Sequence, residues 1–383
     1  MKTRILFLLL ALCFALPNVF SKEVNLEEAK KAAKNFYYER ANQYMDGIDF
    51  ADVKIINTFV RNENNMPVYY AFDIASGGFV IISAENAYTP VIGYAFNGVY
   101  PQNPEYNYGS FIYTYVEMIN YARVNNIVAT SEFKSEWNRL LTDDINSLIT
   151  FTDDKDVSPL TSGMWDQGYP YNVMCPQDPQ GPNGYVYAGC VATAMSMVMY
   201  YYRYPLNGTG SHSYNPDPQY GVQTANFGAT YYQWDGMQDH IDQHNPIPIA
   251  ELQYHCGVSV NMQYGPDGSG AQSYMVPNSL NAFFRYNNAQ YKEKSDYTHS
   301  TWINLLKTDI DIEHPLYYSG HSTTGGHAFL CEGYQGTDFY FNFGWSGSGN
   351  GYYSLTNVNG YYIDQGCVKN FYPSDPDYPY YSS

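Results

Sequence analysis

The sequence predicts an α+β protein built as two units, a smaller one over roughly the first 150 residues and a larger one after it. Three observations predict this. At 383 residues the chain is too long for one average domain and suits two. Its first part sets one amphipathic helical stretch before a run of short, alternating strands. Between the parts, residues 151–160 (Phe-Thr-Asp-Asp-Lys-Asp-Val-Ser-Pro-Leu) are polar, acidic around Lys155 and closed by a proline, as an exposed, cleavable linker would be. Beyond it the composition shifts toward Gly, Asn, Pro and Tyr.

The elements follow in order. Lys2 and Arg4 precede an apolar run from Ile5 to Leu16 and a short polar exit through Ser21. That run is too short to span a bilayer, so residues 1–21 read as a cleaved export signal, and no later run is long and apolar enough to cross a membrane. In 26–44, Ala29, Ala32, Ala33, Phe36 and Tyr37 share one helical face. Strands are expected at 53–60, 67–75, 78–84 and 91–96, with Ser76-Gly77-Gly78 as a turn, and helices near 110–125 and 131–149. In the second unit, helices are expected from Cys190 to about Arg203, near 248–256 and near 300–313. Strands are expected at 315–319, 326–333, 337–343 and 351–356. The units are therefore set at 22–155 and 156–383.

Charge excludes one class of partner. The formal net charge is −18, and from Asp156 onward 19 acidic side chains face only six basic ones. Such a surface repels phosphate backbones, so no nucleic-acid partner is expected. Past the signal, five cysteines remain: Cys175, Cys190, Cys256, Cys331 and Cys367. An odd number in an exported chain points to one free thiol, and the other four form up to two bridges or stay as small buried hydrophobes. Their spacing matches no zinc pattern, and no metal is expected.

Two segments carry chemistry. Gly189-Cys190-Val191-Ala192-Thr193-Ala194 puts a cysteine behind a glycine at the start of a helix. The partial positive charge of a helix N-terminus favours the thiolate, which is the nucleophile, and the unpaired N–H groups there suit an oxyanion hole. Gly325-Gly326-His327-Ala328-Phe329 puts a histidine between small residues at the start of a buried strand. His321, in a turn-like stretch, is its one serious rival. A third group should accept the second imidazole N–H, and Asn342 fits, with Trp345 able to shield that bond from water.

These residues resemble the streptopain family of secreted bacterial cysteine proteases, within the papain superfamily. The resemblance rests on Gly189 to Ala194 with its helix ending at Tyr204-Pro205, on Val258 to Pro266, and on Gly325 to Phe329. It continues through Asn342 to Gly347 and Asn350 to Tyr353, and residues 73–83 resemble the family's propeptide. The resemblance implies a papain-like two-lobed α+β protease domain preceded by a smaller α+β prodomain that acts as an intramolecular inhibitor. It implies a zymogen cleaved near Lys155, and endopeptidase action on proteins or peptides with a hydrophobic preference two residues upstream of the cut. Cys190, His327 and Asn342 would be catalytic, Gly270, Gly326 and Trp345 substrate-binding, and no cofactor is needed. Two positions depart from the pattern. Gly184 stands where papain-like enzymes place an oxyanion-hole glutamine, with Gln177 and Gln180 nearby, and Phe343 replaces a tryptophan. A Cys-His amidase or transamidase, or an impaired protease-like binding protein, would share most of these features.

Overall fold

The computed structural model describes residues 22–101, 116, 118–148, 155–216, 218–241, 245–322, 325–356, 358 and 361–375. The expected signal at 1–21 and residues 151–154 of the linker lie outside these, as does most of 110–117. The fold is α+β, as the sequence predicts.

The N-terminal unit opens with α1 (Leu26–Tyr44), started by a reciprocal cap between Asn25 and Glu28. Its Ala29, Ala32, Ala33, Phe36 and Tyr37 are buried. They pack on a meander of β1 (Ile55–Glu63), β2 (Met66–Ile74), β3 (Phe79–Ser83) and β4 (Val91–Ala95), each strand antiparallel to the next. Residues 118–124 are helical, and α2 (Ser131–Leu140) follows, capped by Thr130. It is shorter than the stretch expected to 149, because Thr142 to Asp144 favour a turn and only a 3-10 turn re-forms at Ile145–Ser147.

The C-terminal unit starts with β5 (Asp156–Val157). Its first helix, α3 (Cys190–Tyr202), is buried on nearly every side from Val191 to Met199, as an all-apolar helix must be. It lies against α4 (Ile247–Ser259), where Thr193 Oγ1 donates to Gln253 Oε1 at 3.1 Å. The hairpin β6 (His212–Tyr214) and β7 (Gln223–Ala225) completes this helical lobe with α5 (Val276–Phe284). The helix α5 is not among the expected elements; Pro277 sits in its first turn, where proline is well suited.

The β-rich lobe holds β8 (Gln290–Glu293), α6 (His299–Ile310), β9 (Leu316–His321), β10 (Gly326–Gln335), β11 (Asp338–Asn342), β12 (Gly351–Ser354) and β13 (Ile363–Lys369). Among the described residues these strands and those of the N-terminal unit form one sheet in the order β1-β2-β3-β4-β12-β11-β10-β9-β13-β8, with β5 on β10. The two units thus join edge to edge, Tyr94 opposite Tyr352 and Gly93 opposite Tyr353. The rings of Tyr94 and Tyr352 stack at 5.2 Å, and Arg40 of α1 bridges to Asp338 of β11 at 3.1 Å. A single apolar cluster runs from Val68, Tyr69 and Tyr100 to Phe343, Trp345 and Tyr353. None of the five described cysteines is bridged, and Cys175, Cys256, Cys331 and Cys367 serve as small buried core residues.

Candidate active site

Gly189 enters α3 at φ +93°, a conformation that L side chains rarely adopt. A Cβ there would also come within 2.6 Å of the Met262 side chain and 3.1 Å of the Ser269 carbonyl. Only glycine lets the chain turn this tightly, and the turn delivers Cys190 to the helix start. No side chain caps that end. Burial pushes the Cys190 thiol above its ordinary value, opposed by backbone N–H groups of Ala328, Val191 and Cys190 that face the sulphur. The sulphur therefore lies against β10, one residue from His327.

His327 is 6% exposed. Its Nε2 lies 2.8 Å from the Phe343 carbonyl; since a carbonyl only accepts, Nε2 carries the proton and Nδ1 is left as the basic nitrogen. Trp345 stacks on the ring at 4.7 Å, and Phe343, Phe329 and Tyr361 surround it. Burial lowers the imidazole to about 4, against the opposing effect of the Phe343 carbonyl. Burial thus works against charge on both the thiol and the imidazole.

Asn342 does not bond the imidazole. Its Nδ2 donates to the Gly163 carbonyl at 2.8 Å and its Oδ1 accepts from the Gly344 N–H at 3.2 Å. The Phe343 N–H in turn donates to Asn350 Oδ1 at 3.0 Å. Asn342 and Asn350 so pin the turn whose Phe343 carbonyl holds the ring. Behind Asn342 lies the carboxyl of Glu332, 1% exposed. Burial raises it to about 8, opposed by hydrogen bonding from Thr161 and Asn342.

Cys190 and His327 line one cleft of about 730 Å³ between the lobes, with Gly270, Gly326 and His321. A Cβ on Gly270 would meet nothing within 4 Å, whereas one on Gly326 would lie 2.8 Å from the His321 ring. Trp345, 7% exposed, backs the imidazole and is not among the cleft-lining residues. Gly184 ends a 3-10 turn at φ +87° and faces open space. A different glutamine is near the cysteine: the carbonyl of buried Gln167 accepts from the Ala188 N–H at 2.9 Å. Its carboxamide makes no hydrogen bond to a described residue. Spacing along the chain gave no hint of Gln167, because a long loop separates it from Cys190.

A part-buried thiol at a helix start, backed by a strand bearing an imidazole and joined by sheet to an N-terminal unit, defines a cysteine peptidase with its own inhibitor attached. Comparison with known proteins agrees. Residues 165–353 match the peptidase C10 family, and residues 21–116 match the Spi protease inhibitor. The chain is 29% identical to streptopain of Streptococcus pyogenes over 359 residues, covering 88% of this chain and 85% of that one. It is 29% identical to the thiol protease/hemagglutinin PrtT of Porphyromonas gingivalis, covering 98% of this chain and 45% of that protein. Among solved structures, a prointerpain A fragment from Prevotella intermedia matches with TM-score 0.66 and 27% identity, covering 83% of this chain and all of that one. Active interpain A matches with TM-score 0.53 and 33% identity, covering 57% of this chain and 95% of that one. The chain belongs to the peptidase C10 family. It is a cysteine protease zymogen with an N-terminal inhibitory propeptide.

Proposed function

We propose that this is an exported bacterial cysteine endopeptidase, with residues 1–21 as its signal, 22–155 as propeptide and 156–383 as the catalytic unit. The observation that carries this reading is the Cys190 sulphur at the start of α3, facing the backbone beside His327 in a cleft between two lobes. Among the described residues no helix is long and apolar enough to cross a membrane.

Cys190 gives its proton to Nδ1 of His327, and the thiolate attacks the scissile carbonyl. The N–H groups at the start of α3 and the carboxamide of Gln167 stabilise the oxyanion. The imidazolium returns its proton to the leaving amine, and a water activated by the same ring hydrolyses the thioester. Phe343 accepts the second imidazole N–H, and Asn342 positions that carbonyl. Gly270 and Gly326 let a peptide backbone approach, and Ala271, Met275 and Ala328 give the adjacent subsite an apolar wall that takes a hydrophobic side chain. Trp345 supports the site from behind the imidazole.

Val68, Tyr69 and Tyr100 of the propeptide share one apolar cluster with Phe343 and Trp345, the wall behind His327. Lys155 is exposed, and its ammonium pairs with Asp311 at 2.9 Å. The test is to follow the mass of the purified full-length chain with and without a peptidyl epoxide that alkylates thiols. We expect shortening to a product beginning near residue 156, blocked by the epoxide and absent in Cys190→Ala. A Cys190→Ala protein that still shortens itself and cleaves casein would overturn the reading.

A further inference from the structure

The segment that bears Gln167 is held from three sides. Successive main-chain carbonyls in it are each taken by a different part of the protein. Trp165 accepts from the Ser346 N–H at 3.0 Å, and Ser346 stands three residues past Phe343, whose carbonyl holds His327. Asp166 accepts from Nε2 of Gln253 on α4 at 3.1 Å. Gln167 accepts from the N–H of Ala188, two residues before the nucleophile, at 2.9 Å. The Asp166 carboxylate adds two bonds of its own. Its Oδ1 accepts from the Gly168 N–H at 2.8 Å and its Oδ2 from the Ser346 hydroxyl at 3.1 Å. A stretch outside any helix or strand is thereby fixed on both sides of Gln167.

Of the three carbonyl contacts, only that of Gln253 is made by a side chain, and that residue is 0% exposed. A carboxamide buried between packed helices costs free energy unless both its ends are paired. Both are: Oε1 accepts from Thr193 Oγ1 at 3.1 Å, and Nε2 holds the Asp166 carbonyl. Thr193 lies three residues past Cys190 on α3, roughly 4.5 Å along the axis. One side chain thus connects the helix that carries the sulphur to the peptide that precedes Gln167. Neighbouring core positions of the two helices are apolar, among them Ala192, Leu252 and Cys256. Helix packing alone asks for nothing else at residue 253.

We propose that Gln253 is a positioning residue for the oxyanion donor: it ties the Gln167 segment to the helix that carries Cys190, while the Asp166 carboxylate ties that segment to the turn that holds His327. The inference rests on the reading of Gln167 as an oxyanion donor and deepens it. Fully buried, Gln253 meets no substrate and acts only through Gln167. A donor helps to the extent that it is aimed before charge develops, and an error of about 1 Å removes much of its effect.

The test measures kcat and KM on a peptide amide once each protein has processed itself. Gln253→Met keeps the volume of the side chain and removes both bonds. It should lower kcat about tenfold and leave KM within about twofold, a smaller loss than the roughly hundredfold expected of Gln167→Ala. Added to Gln167→Ala it should cost nothing more, because a residue that acts through Gln167 then has nothing left to position. Alkylation of Cys190 by iodoacetamide needs the thiolate but develops no oxyanion, so its rate should stay within about twofold in every variant. Asp166→Ala carries the same expectations outside the core should Gln253→Met fold poorly, and Asp166→Asn, which keeps both bonds, should recover the rate. An unchanged kcat in Gln253→Met, a loss that persists on top of Gln167→Ala, or a matching drop in alkylation would overturn the inference. The loss in Gln167→Ala alone would then still support the oxyanion reading. If Gln167→Ala itself costs nothing, that reading fails and the inference with it.

Discussion

His327 is held by a main-chain carbonyl, so the residue that matters for its orientation is the one that fixes that carbonyl. Asn342 does so through Gly163 and Gly344. Asn342→Ala should lower kcat at least tenfold with little change in KM, and should shift the acid limb of the pH–rate profile as the imidazole loses its fixed partner. Steady-state kinetics from pH 4.5 to 8.5 measure both; an unchanged acid limb would mean Asn342 serves folding alone. Gln167→Ala should lower kcat about a hundredfold, the usual effect of losing one oxyanion donor, with KM nearly constant. The helix start at Cys190 and the strand at His327 were legible in the sequence because each sits on a local pattern, a glycine before an apolar helix and small residues before an apolar strand. Gln167 and the Phe343 carbonyl were not: one is distant in the chain, and any residue supplies a carbonyl.

At the scale of elements, the decisive contact is β4 on β12. Gly93 has no side chain where it faces Tyr353, and a Cβ there would strike the tyrosine ring. Gly351 is equally constrained, with the Tyr94 carbonyl 2.5 Å from where its Cβ would stand. Gly93→Val should therefore weaken propeptide docking by about 1–3 kcal/mol, the usual range for overpacking. Self-processing of the purified proform should be several-fold faster than in the wild type, read as appearance of the short form on a gel. The strands themselves were legible from alternation and turns. Their union was not, since an edge that pairs with a distant strand carries the same pattern as one that faces water.

At the scale of the whole molecule, Glu332 joins the lobes. Its carbonyl accepts from Leu160 at 3.0 Å, and its carboxyl lies buried beside Thr161 and Asn342. Its folded value of about 8 stands above the ordinary 4.5, so the fold favours the neutral acid. That contribution is fully present below about pH 4.5 and is lost as pH rises through 8. Relative to Glu332→Gln, the wild type should lose on the order of 4 kcal/mol between those limits. Denaturant unfolding of both proteins at pH 5 and pH 8.5 measures it, and parallel curves would show that the carboxyl is ionised in the fold.

Local pattern sufficed for the α+β fold class, the helix that begins at Cys190 and the strand that carries His327. These follow from periodicity, turn chemistry and capping, which act over a few residues. Long-range packing fixed what grips the imidazole, that Gln167 bonds the segment before Cys190, and that one sheet runs through inhibitor and enzyme. Each of these is a meeting of segments far apart in the chain, fixed by strand pairing and packing that no local pattern encodes.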